Sequence, residues 1–165
     1  MTRASQTFVE WVGNLNGRPR TEPDTKPQGA PVSCNEHTVL VVDDDAAFVH
    51  LVSSVLRKHG FNVLSASSGA KGLNMIACGP GDIRVVLLDY SMPQLDGEET
   101  LNFVRQLSPN AKVIGVTAVK LDSVPKAYRD GVDKLLTKPV IAAELIGAVH
   151  EVLGDGQPAS SAIQS

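Results

Sequence analysis

From His37 onward, short apolar runs of strand length alternate with segments whose apolar residues recur at helical spacing, and the alternation repeats five times. Val39 to Val42, Phe61 to Ala66, Arg84 to Leu88, Lys112 to Val116 and Leu135 to Thr137 are the strand-like runs. The run before Asp89 is continuously aliphatic, which suits a strand covered on both faces, the habit of a parallel sheet. Between the runs, Phe48, Leu51, Val52, Val55 and Leu56 make a first helical stripe, with an Asp as N-cap and Gly60 as stop. Ala70, Leu73, Ile76 and Ala77 make a second, closed by Gly79–Pro80–Gly81. A third begins at Gly97–Glu98–Glu99, where acids favour the helix dipole; it buries Thr100, Leu101, Val104 and Leu107 and ends at Ser108–Pro109. The fourth, about Ser123 to Arg129, has only Val124, Ala127 and Tyr128 and is expected to be mobile. Ile141, Leu145, Val149 and Val152 mark the fifth, with a disordered polar tail over 154–165. Five βα units with crossovers of this length predict a doubly wound parallel sheet with helices on both faces.

Residues 1–36 follow other rules. Phe8, Trp11, Val12 and Leu15 share one helical face, a short amphipathic helix over 5–16 that is too short to be stable alone. It reads either as a frayed extension or as a helix that docks on the domain or a partner. Pro19, Pro23, Pro27 and Pro31 then suppress helix and strand alike, so the chain reaches the domain of 37–153 through a semi-extended linker.

Composition narrows the function classes. With 15 basic and 18 acidic residues in 165, the formal net charge of −3 offers no electrostatic footprint for nucleic acid. No apolar run is long enough to span a bilayer and the N-terminus has no signal-type stretch, so a cytoplasmic protein without membrane contact is expected. Cys34 and Cys78 share no short-range motif and read as free thiols.

Candidate chemistry lies where the strand-like runs end. If the strands are parallel, Asp43, Asp44 and Asp45, then Asp89, Thr117 and Lys138 converge on one sheet edge, outside the carboxyl ends where such folds bind ligands. Clustered carboxylates repel one another and a hard divalent cation relieves this; Mg²⁺, with few protein ligands, suits an open acidic cleft. Zinc is disfavoured, because His37, His50, His59 and His150 are scattered and read as surface or packing residues. A carboxylate beside a cation can attack phosphorus to give an acyl phosphate, and an amine and a hydroxyl, such as Lys138 and Thr117, serve the charge that develops. Taken singly, Asp45 is most simply a helix cap, Thr117 a turn residue, Lys138 a solvated amine and Asp89 a loop acid; the joint pattern points to chemistry.

Four motifs occur in order: Val41–Val42–Asp43–Asp44; Leu88–Asp89–Tyr90–Ser91–Met92–Pro93 with Asp96–Gly97; Val116–Thr117–Ala118; and Thr137–Lys138–Pro139. Together they make the segment from about Thr38 to Leu153 closely resemble the receiver domain of two-component response regulators, the fold of the chemotaxis response regulator. That resemblance implies an α/β, flavodoxin-like (βα)5 architecture with strand order 2-1-3-4-5. It implies Asp89 as phosphoacceptor, and Mg²⁺ held by Asp43, Asp44, Asp89 and the main-chain carbonyl of Ser91. Thr117, Ala118 and Lys138 would bind the phosphoryl group, and Lys138–Pro139 would be a cis peptide. Two departures stand out. The switch pair would be Thr117 and residue 135, but Leu135 occupies the place where the family often has Tyr or Phe. No output domain is expected after the fifth helix.

The resulting expectation is a phosphorelay receiver, stand-alone or derived from a hybrid kinase, that is not an enzyme beyond self-catalysed transfer and hydrolysis. Its implied partners are a sensor histidine kinase or histidine phosphotransfer protein and a downstream protein target, with a phosphorylation-dependent homodimer as one further form. One rival is a degenerate receiver acting as a scaffold. Another is a haloacid-dehalogenase-like phosphatase, disfavoured because Asp43–Asp44–Asp45–Ala46–Ala47 lacks the Thr of its Asp-x-Asp-x-Thr pattern.

Overall fold

The computed structural model describes residues 37–79, 82–93 and 95–154. The expectations for 1–36 and for 155–165 fall outside them, as does Cys34. Within the described residues, five strands, β1 (Thr38–Val42), β2 (Asn62–Ala66), β3 (Ile83–Asp89), β4 (Lys112–Thr117) and β5 (Lys134–Thr137), form one parallel sheet in the order β2-β1-β3-β4-β5. Five helices connect or follow them: α1 (Ala46–Lys58), α2 (Gly69–Cys78), α3 (Gly97–Leu107), α4 (Lys126–Gly131) and α5 (Ala142–Leu153). A 3-10 turn, Leu121–Ser123, precedes α4. The doubly wound architecture and the strand order agree with the sequence-based expectation.

The central strands are buried on both faces because helices cover both. Val39, Val41, Val85, Leu87, Ile114 and Val116 meet Val52, Leu56, Leu145 and Val149 in one cluster beneath α1 and α5. On the opposite side α2, α3 and α4 pack in sequence, with Val42 against Gly72 of α2. Among the described residues no helix is long and apolar enough to cross a membrane.

Helix starts follow local chemistry. Asp45 caps α1, its carboxylate accepting from the Ala47 and Phe48 amides, as expected of it. Asp96 accepts from the Glu99 amide at the start of α3. The buried stripes are narrower than periodicity predicts. Leu51 is 57% exposed and Ile141 is the exposed residue ahead of α5 rather than part of its buried face. Ala70, Ala77 and Ala127 also face outward. The fourth helix starts later than Ser123, because Leu121–Ser123 close a separate 3-10 turn, Val124 is extended, and Pro125 stands at the cap ahead of Lys126.

One polar network ties the far end of the sheet together. Arg105 donates to the carbonyls of Gly131 and Ala111, and to Asp133 Oδ2 at 2.7 Å. The same Asp133 oxygen accepts the Val113 amide at 2.8 Å, and Lys112 reaches Oδ1. Burial acts to raise the Asp133 pKa, but these donors outweigh it and hold the carboxyl below its ordinary value. A lowered carboxyl contributes stability that is complete above its unfolded pKa and is lost as pH falls through the folded one. Asp133→Asn is therefore expected to cost about 1–2 kcal/mol at neutral pH. Urea midpoints of parent and variant should converge in acid; a gap that persists unchanged in strong acid would contradict this account.

Candidate functional site

The carboxyl ends of β1, β3, β4 and β5 bring Asp43, Asp89, Thr117 and Lys138 to one edge, as parallel strands require. The Asp43 amide donates to the Ala66 carbonyl of β2, fixing the end of β1. Asp43 and Asp89 are 1% and 3% exposed, whereas Asp44 is exposed. Carboxylate oxygens of all three lie within 4.8 Å of one another.

Lys138 bridges the two buried acids, with Nζ 2.7 Å from Asp43 Oδ2 and 3.0 Å from Asp89 Oδ1. Asp43 Oδ1 accepts the Asp45 amide and Asp89 Oδ2 accepts the Ser91 amide, each at 2.9 Å. Burial pushes the Asp43 carboxyl up, and the Lys138 ammonium and the Asp45 amide only partly offset it. Burial also acts to lower the Lys138 amine, but its bonds to Asp43 and Asp89 prevail and hold it above its usual value. For Asp43 desolvation is decisive; for the less buried Lys138 the two carboxylates are. The amine is thus charged at neutral pH, as one positive group among three acids.

Thr117 is fully buried at the end of β4, and its Oγ1 accepts the Val119 amide at 3.1 Å. The Tyr90 amide bonds to the Val116 carbonyl and the Lys138 amide to the Thr117 carbonyl, so β4 is stitched to the segments carrying Asp89 and Lys138. Ala118 follows on the exposed rim. Lys138–Pro139 is cis. Gly97 is required by close approach: a Cβ there would fall 2.7 Å from both the Asp89 carbonyl oxygen and the Tyr90 Cα. Leu135 lies apart from the ionic cluster, against Gly115.

Two contributors escaped the sequence reading. Phe48, read as a core residue, lies under the Lys138 ammonium with Nζ 4.3 Å from the ring centroid. Tyr128, read as part of a thin stripe, donates its hydroxyl to the Leu88 carbonyl at 3.0 Å. Neither pairing leaves a local signal, because its partners are far apart in the chain.

A carboxylate held near an ammonium, inside a cluster of hard oxygen donors, is suited to reaction with an electrophilic phosphorus. Comparison with known proteins agrees. The response regulator receiver domain family matches residues 39–150. The CpxR homolog of Haemophilus influenzae, a transcriptional regulatory protein, is 36% identical over 117 residues, 70% of this chain and 49% of that protein. The sensor histidine kinase RcsC of Escherichia coli is 35% identical over 103 residues, 62% of this chain and 11% of the kinase. This chain thus spans about half, or much less, of the curated relatives it matches. The CheY-like receiver domain protein of Methanospirillum hungatei superposes with a TM-score of 0.67 at 28% identity, over 73% of this chain and 96% of that one. With fold, strand-end acids and family match in agreement, the chain belongs to the response regulator receiver domain family and carries the module used in phosphorelay signalling.

Proposed function

We propose that Asp89 is the phosphoacceptor and that the chain takes its phosphoryl group from a phosphohistidine on a sensor kinase or a histidine phosphotransfer protein. The observation that carries this reading is the single ammonium of Lys138 set between Asp43 and Asp89, with Asp44 beside them. A carboxylate oxygen of Asp89 attacks phosphorus and forms the acyl phosphate. The P–N bond of the donor breaks, and its electron pair returns to the imidazole. Lys138 pairs with the phosphoryl oxygens as charge spreads over them, and the Thr117 hydroxyl is available as a donor at the neighbouring strand end. Hydrolysis by water restores the carboxylate and releases phosphate, so the chain's own chemistry is confined to self-catalysed transfer and hydrolysis.

The donor set fits Mg²⁺: all oxygen, with two buried carboxylates and one exposed. Asp43, Asp44, Asp89 and the Ser91 carbonyl would hold the ion, which supplies positive charge to the transferring phosphoryl group. Leu51 on the second turn of α1 and Ile141 ahead of α5 are exposed and large, and suit contact with an apolar donor surface. A cytoplasmic setting, where kinase phosphoryl donors are made, accords with the free thiol of Cys78. The test is intact mass after incubation with acetyl phosphate. One phosphoryl adduct that requires Mg²⁺ is expected. No adduct under conditions that label another receiver would leave a phosphorylation-independent scaffold as the better reading.

A further inference from the structure

Tyr128 heads the largest fully buried side chains among the described residues, yet it sits on α4, a helix of six residues. Its neighbours Lys126, Ala127, Arg129 and Asp130 are all exposed, so this ring is the buried side chain of the helix, which Arg105 also holds at the Gly131 carbonyl. Where the ring lands is specific. Its hydroxyl donates to the Leu88 carbonyl at 3.0 Å, and its centroid lies 5.0 Å from that of Tyr90. Leu88 and Tyr90 are the residues immediately before and after Asp89. Gly115 of β4 makes the room: a Cβ there would come within 3.0 Å of Tyr128 Cε1 and of its hydroxyl oxygen, and 2.9 Å from Leu135 Cδ1. Burial raises the phenol well above its ordinary range, so it remains a hydrogen-bond donor.

Asp89 has both oxygens engaged, one by the Ser91 amide and one by Lys138. An acyl phosphate on either oxygen replaces that partner with a bulky dianion, and the Ser91 amide and Lys138 must pair anew. Tyr90, the residue between Asp89 and Ser91, is the one against which Tyr128 packs. We propose that Tyr128 is a latch that holds α4 against the phosphoacceptor strand in the unphosphorylated chain, and that phosphorylation of Asp89 releases it. This inference rests on the phosphoacceptor reading above. It assigns to an inward-facing residue of α4 a positioning role that residue 135, a Leu in contact with the same glycine, has no polar group to perform.

A latch that the phosphorylated state opens is, by linkage, one whose loss favours that state. In the full chain, Tyr128→Phe keeps the ring and removes the bond. Beryllofluoride with Mg²⁺ serves as an equilibrium mimic of the phosphoryl group, its affinity read by calorimetry. Hydrogen exchange of Lys126–Gly131 reads the helix. In the parent chain, beryllofluoride should speed exchange in this segment. In Tyr128→Phe, exchange should already be faster without the mimic, and beryllofluoride should bind about 2- to 10-fold more tightly, the range of one neutral hydrogen bond. Gly115→Ala, which presses on the ring and leaves Tyr128 in place, should move both readings the same way, and it decides the matter if the Phe variant does not fold. Parent-like affinity in the variants, or exchange in the parent indifferent to the mimic, overturns the latch alone. If neither acetyl phosphate nor beryllofluoride engages the parent chain, the phosphoacceptor reading falls and takes the latch with it.

Discussion

Asp89→Asn is expected to remove the phosphoryl adduct completely. The amide has the shape of the carboxylate and can still accept the Ser91 amide, so the strand end and its turn should stay in place. What it lacks is the anionic oxygen that attacks phosphorus, and no rearrangement of neighbours restores it. Intact mass after acetyl phosphate and Mg²⁺ should show the parent labelled once and the variant unlabelled, with both chains folded. An undiminished adduct on the variant would place the phosphoryl group on another residue.

Lys138→Ala should have the second largest effect, with two readings that move apart. Among the described residues the ammonium is the one protein cation bonded to both buried acids, and removing a preorganised group of this kind costs about 10²–10³-fold in rate. The time course of adduct formation should slow by that factor. Mg²⁺ affinity should rise instead, because Asp43 and Asp89 lose the ammonium that offsets their repulsion and an added cation gains more by entering. Calorimetric titration of Mg²⁺ checks the sign, and Mg²⁺ should also restore thermal stability that the ion-free variant has lost. A parallel fall in rate and in Mg²⁺ affinity would mean that the lysine shapes the cation site rather than the transferring group.

The parts of this molecule that were legible in the sequence are those governed by near neighbours. Continuous aliphatic runs identified the buried strands, Asp45 its own cap, and strand-end acids the site, because each signal is confined to a few consecutive residues. Helix faces were read less well. Leu51 fits the spacing of α1 but lies on the solvent edge of an arc that only packing against the sheet and α5 defines. The fourth helix was read too early because Val124, buried ahead of Pro125, continues the apolar spacing without being helical. Phe48 beneath Lys138 and Tyr128 against Leu88 were beyond reach, since each depends on elements that only the folded sheet brings together.

The first turn of α1 belongs to a closed circuit of contacts. The Asp45 amide grips Asp43, the Asp45 carboxylate grips the amide of Phe48, the Phe48 ring supports the Lys138 ammonium, and that ammonium returns to Asp43. In such a closed linkage no member can shift by itself, so the height of the amine above the sheet is set by the winding of a helix to which it is not covalently adjacent. The phase of α1, one residue more or less between Asp43 and Phe48, therefore acts as a gauge for the distance between the positive charge and the two acids it serves.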